Sequence, residues 1–90
     1  MTTEHQARTT LHTQLLNVER AHQSAVASER RILVAAQNRL QQVQTDLAAL
    51  KPRAVLDDTV GQRYLALIQE RGQLQQVIAM AEHHLKNGWD

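Results

Sequence analysis

The stretch Lys51-Pro52-Arg53-Ala54-Val55-Leu56-Asp57-Asp58 holds the only proline of a 90-residue chain and separates two long segments with helical periodicity. Proline cannot donate the backbone hydrogen bond that a helix interior needs, and it disfavours helical geometry in the residue before it. Asp57, Asp58 and Thr59 follow, and their side-chain oxygens can cap the free N–H groups of a new helix. The reading is a turn over residues 51–58, with helix 1 over about residues 4–50 and helix 2 over about 59–86. That predicts a single all-α domain over residues 1–90, an antiparallel two-helix coiled-coil hairpin.

Upstream of the break, a seam steps along as Leu11, Leu15, Val18, His22, Ala25, Glu29, Leu33, Ala36, Leu40, Val43, Leu47 and Leu50. The steps alternate four and three apart from one extra four-step near Glu29, which is heptad spacing with a stutter. Ile32 and Val34 widen the stripe, as in a bundle. A capping pair, Thr3 with Gln6, offers a start for this helix. Downstream, Val60, Tyr64, Leu67, Arg71, Leu74, Ile78, Ala81 and Leu85 follow an unbroken four-three alternation, with Leu65, Ile68 and Val77 to the sides. His83, His84 and Lys86 suit the negative end of the helix dipole. Asn87-Gly88-Trp89 then reads as a glycine C-cap followed by an apolar contact. Gly72 lies off the seam, either without consequence or at a close approach by a partner helix.

The unequal arms carry the functional expectation. Antiparallel pairing aligns helix 2 with about Ser24 to Leu50 and leaves roughly the first 20 residues overhanging. Leu11, Leu15, Leu16 and Val18 are then exposed, and a bare apolar stripe usually marks an interface. Val34, Leu65, Ile68 and Trp89 complete the candidate partner-binding set. The composition has 2% aromatic residues and no cysteine, so a lone hairpin buries little and has no disulfide to hold it. Self-association into a dimeric four-helix bundle, or docking on another protein, is the physical expectation.

Other chemistry is weighed against plain structural roles. Glu19 and His22 have the Glu-x-x-His spacing of carboxylate-bridged metal bundles, with Glu82 at a plausible height to join them and Glu70 lower, near Ala36. A metal-binding four-helix bundle is therefore the alternative reading, while His22 as a polar seam residue is the simpler one; no metal or other cofactor is expected. His5, His12, His83 and His84 are not spaced to chelate together. Arg30, Arg31, Arg39, Lys51, Arg53 and Arg63 allow a weak nucleic-acid-associated regulator. Yet 10 basic against 9 acidic residues make no basic stripe, and no nucleic-acid partner is expected. Glycine-rich phosphate loops and Ser/His/Asp arrangements are absent, so no enzyme is expected. No apolar run approaches the roughly 20 residues of a membrane span. The start, Met1-Thr2-Thr3-Glu4-His5, lacks a secretion-signal pattern, which with zero cysteine predicts a cytoplasmic protein.

In outline, the long first helix, short break and Tyr64-Leu65-Ala66-Leu67-Ile68 followed by Gln-rich heptads resemble the stalk and export-chaperone hairpins of type III secretion. The acidic tip, Asp57 and Asp58, resembles hairpins that enter the RNA polymerase secondary channel, without the zinc cysteines or second domain of such proteins. Small phage or plasmid inhibitors share the same outline. The acidic-tip resemblance implies carboxylates that can hold a Mg²⁺, for which capping is the simpler role; the hairpin outline as a whole implies a small adaptor, chaperone or inhibitor acting through its surface.

Overall fold

The computed structural model describes residues 2–89, with side chains from Thr10 to Trp89. Two helices, α1 (Thr2–Ala54) and α2 (Asp58–Asn87), form an antiparallel hairpin measuring 82 × 20 × 15 Å. The Thr3–Gln6 capping pair and His5 lie outside the residues whose side chains are described.

Pro52 does not end α1. It sits in the last turn, and the helix continues two residues past it. The proline φ is itself helical, so the loss is a single bond, the one that an N–H at position 52 would donate to the Ala48 carbonyl. Ala48 is exposed, and water can solvate that oxygen. The reversal follows in Val55–Asp57. There the Leu56 and Asp57 N–H groups both donate to the Arg53 carbonyl, each at 3.1 Å. Asp57 is extended (φ −135°, ψ 118°), and its Oδ1 accepts from the N–H groups of Thr59 at 2.9 Å and Val60 at 3.2 Å. An aspartate cap of this kind is worth about 1 kcal/mol. At the far end Gly88 takes φ 83° and donates its N–H to the His84 carbonyl at 2.8 Å, the expected cap.

The helices pair along a narrow seam. In α2 the partly or fully buried positions include every member of the expected series from Val60 to Leu85. In α1 the series is Val26, Glu29, Leu33, Ala36, Leu40, Val43, Leu47, Leu50 and Ala54, an uninterrupted alternation of three and four. Val26 rather than Ala25 faces α2, so the paired segment contains no stutter. Ile32 and Val34 do not widen the seam; they are 47% and 55% exposed. The centre of the core is Val43, Leu47 and Leu67, surrounded by Leu50, Tyr64, Ile68 and Leu74.

Polar pairs tie the two helices at separate heights. Arg39 grips Glu70 through Nε–Oε2 and through Nη2–Oε1 at 2.8 Å. These hydrogen bonds hold the Glu70 carboxyl below the usual carboxylate range and raise Arg39 above its own. The bridge therefore favours the hairpin at neutral pH, and its contribution fades as acid protonates Glu70. Both side chains are well solvated, so the contribution is small.

Gly72 meets nothing within 4 Å of where a Cβ would stand. Substitution Gly72→Ala is expected to stabilise the hairpin by about 0.4–1 kcal/mol through helix propensity and unfolded-state entropy. A rise in urea midpoint at unchanged slope would register it.

Candidate partner-binding surface

The seam of α1 outlasts its partner. At 3.6 residues per turn, positions 18 apart fall on one line along a helix, after five turns. Leu11, Leu15 and Val18 lie in line with Glu29, Leu33 and Ala36, respectively. The apolar line thus carries on above, joined to the paired seam by two successive four-steps, Val18 to His22 to Val26, so that the stutter falls where α2 ends. There it is uncovered: Leu11 is 58%, Leu15 61% and Val18 67% exposed. Leu16 also remains exposed but lies off this line.

Trp89 marks the boundary between covered and bare. The turn at Gly88 swings its indole back over the end of α2, where it stacks on His84 (centroids 5.5 Å apart, planes 17°). The same indole meets His22 of α1 edge-on at 6.0 Å. His84 Nδ1 lies 3.0 Å from Glu29 Oε1, and in the tautomer that this contact favours the ring N–H donates to the carboxylate. Glu29, the one acidic member of the α1 seam, is thereby partnered. A partly buried carboxylate opposite a histidine closes the top of the hairpin, and Trp89 lids it.

The remaining candidates are dispersed. Ile68 is not free surface: it packs against the Val43–Leu47–Leu67 cluster. Leu65 borders an open groove of about 540 Å³ at the tip, with Lys51, Ala54, Val55 and Tyr64 among its walls. Val34 lies in a smaller concavity of about 400 Å³ with Arg30, Arg31, Ala35 and Asn38. Val55 and Leu56, which the sequence did not single out, are the most exposed of the large apolar side chains. A turn of three residues has no interior in which to hide them.

No known protein family, curated protein or solved structure matches the chain. Function must therefore be read from the surface itself.

For the metal reading the register matters. Glu29 is level with His84, so Glu82, two residues nearer the tip, lies about two turns or more from Glu19 and His22. Glu70 is occupied by Arg39, close to the height expected of it. Among the described residues no group of three or more His, Cys, Asp or Glu is placed to hold a metal ion. Among the same residues no helix is long and apolar enough to cross a membrane.

Three features are not evident from the sequence pattern alone. The Glu29–His84 pair had a signal, because a carboxylate in an apolar seam requires a partner from the facing helix. Arg39–Glu70 had none, since both residues are off the seam. Gly61 was hidden by ordinary helix periodicity; its would-be Cβ stands 2.8 Å from the Ala54 carbonyl oxygen.

Proposed function

We propose that this protein is a non-enzymatic interaction module, a small adaptor, chaperone or inhibitor, that works through the apolar face of the α1 overhang. The observation that carries this reading is the line Leu11, Leu15 and Val18, which continues the intramolecular seam beyond Trp89 and lies open. A helix laid along it would repeat, with another chain, the pairing that α2 makes below. Burying each of these side chains is worth about 1.5–3 kcal/mol. Association itself costs at least about 4 kcal/mol, so the expected contact is reversible rather than obligate.

A side-by-side four-helix bundle finds less support. Within the paired region the exposed large apolar side chains are Ile32, Val34, Leu65, Val77 and Met80, which form no heptad line on either helix. Isolated apolar residues of this sort are normal on a protein surface.

The test compares wild type with the triple variant Leu11→Gln, Leu15→Gln, Val18→Gln as baits in extracts of the native host. Glutamine keeps helix propensity, and none of the three positions touches the core, so circular dichroism and melting should match. Any specific partner of the wild type is expected to bind the variant at least tenfold more weakly. Equal capture by both baits would refute the reading.

A further inference from the structure

We propose that Asn87 is a site of self-modification: its carboxamide is converted to an isoaspartyl linkage through the Gly88 nitrogen, at a rate set by opening of the Trp89 lid, and the product cannot re-form that lid.

The chemistry needs an unhindered residue after an asparagine. The Gly88 nitrogen, having given its proton to solvent, attacks Asn87 Cγ. The new C–N bond closes a cyclic imide, and the Cγ–Nδ2 bond breaks as ammonia leaves with a proton returned from solvent. Water then adds to a carbonyl carbon of the imide and opens it. Opening at the main-chain carbonyl carbon leaves the chain running through Cγ, an isoaspartyl linkage; opening at Cγ leaves aspartate. One water is consumed, one ammonia is released, and nothing is oxidised or reduced. Glycine has no Cβ to obstruct the attacking nitrogen. Beside Gly88 there is open space, with nothing within 4 Å of where a Cβ would stand. Asn17 and Asn38 lie inside α1 and are followed by Val18 and Arg39, so the chain offers one such pair.

The structure supplies the gate. Asn87 is exposed and is the last residue of α2. Its helical ψ holds the Gly88 nitrogen out of the plane of Cα, Cβ and Cγ in which the ring closes. The Gly88 N–H, whose proton must leave, is tied to the His84 carbonyl at 2.8 Å. The carboxamide is held as well, with Nδ2 3.2 Å from His83 Nδ1. Trp89 secures the arrangement by stacking on His84 and meeting His22 of the other helix. Attack therefore waits for the lid to lift and the ψ of Asn87 to rotate, a local opening that helix ends undergo more readily than cores.

The product closes the route back. An isoaspartyl linkage inserts a methylene into the main chain before Gly88 and leaves a carboxylate at the negative end of the α2 dipole, where anions are unfavourable. The Gly88 N–H then no longer falls on the His84 carbonyl, and the indole loses the turn that laid it over His84.

Ageing the full chain in warm neutral buffer, and in parallel in urea, tests this. Ion exchange separates the product, which loses the formal net charge of +1, and peptide mapping locates the isoaspartate. With the open state populated at roughly 10% or less, the folded chain is expected to react about tenfold or more slowly than the unfolded one. Trp89→Ala is expected to close most of that gap in buffer and to match wild type in urea, where no lid exists. Trp89 is the only tryptophan, so the emission of the isolated product in buffer is expected to shift to the red of the unreacted chain. Equal rates in buffer and urea, no acceleration by Trp89→Ala, unchanged emission of the product, or no isoaspartate at Asn87 in the aged folded chain would each overturn the proposal.

Discussion

Leu67→Ala is expected to lower unfolding stability by about 2–3 kcal/mol, the lower part of the range for leucine-to-alanine changes in cores. Leu67 is 7% exposed and closes the cluster formed with Val43 and Leu47. The hairpin is one side-chain layer thick, so no second layer exists to collapse inward, but water reaches the site readily and limits the cavity cost. Stability of a chain this size is a small difference between large terms, and such a loss is a substantial part of it. Chemical denaturation followed at 222 nm would show a lower midpoint. The control is Leu65→Ala, two residues away on the same helix and 62% exposed, for which a change within about ±0.5 kcal/mol is expected. Equal effects at the two positions would mean that the seam does not run through Leu67.

The contrast between these leucines is legible in the sequence itself, and the reason lies in α2. Its seam positions step four and three without interruption from Val60 to Leu85, with Arg71 the one charged member, and Leu67 falls on that line while Leu65 falls outside it. The far end of α1 is less legible. Ala25 and Val26 both satisfy an apolar template, and only cross-helix contacts nearby, Glu29 with His84 and His22 with Trp89, decide between them. Pro52 shows a different limit. The local rule describes what proline does to the bond it cannot make, but within the last turn that bond is nearly dispensable. The helix ends instead where the Arg53 carbonyl collects two turn N–H groups. Of the candidate surface, the overhang can be read from the arithmetic of unequal arms. Ile68 cannot be assigned that way, because a position flanking a seam can turn inward or outward according to the facing residues.

Gly61→Ala is expected to destabilise the hairpin by about 1–2 kcal/mol, although alanine is the better helix former. The three-residue turn returns α2 so tightly that its first turn lies against the last residue of α1. A Cβ at position 61 would stand 2.8 Å from the Ala54 carbonyl oxygen and 3.8 Å from its carbon. That neighbour is backbone, held by the end of α1 and by the turn bonds to Arg53, and cannot swing aside as a flexible side chain could. Relief requires α2 to tilt away at its N-terminus, which loosens Val60 and Tyr64 from the seam and disturbs the Asp57 cap two residues before Thr59. The gain in propensity, about 1 kcal/mol, offsets only part of that disruption. Gly72→Ala supplies the comparison within the same helix, because an identical methyl there meets open space and only the propensity term remains. Opposite signs at the two glycines, measured by thermal unfolding of single variants, are the expected outcome. A stabilising Gly61→Ala would mean that the two helices do not approach as closely at the tip as this hairpin requires.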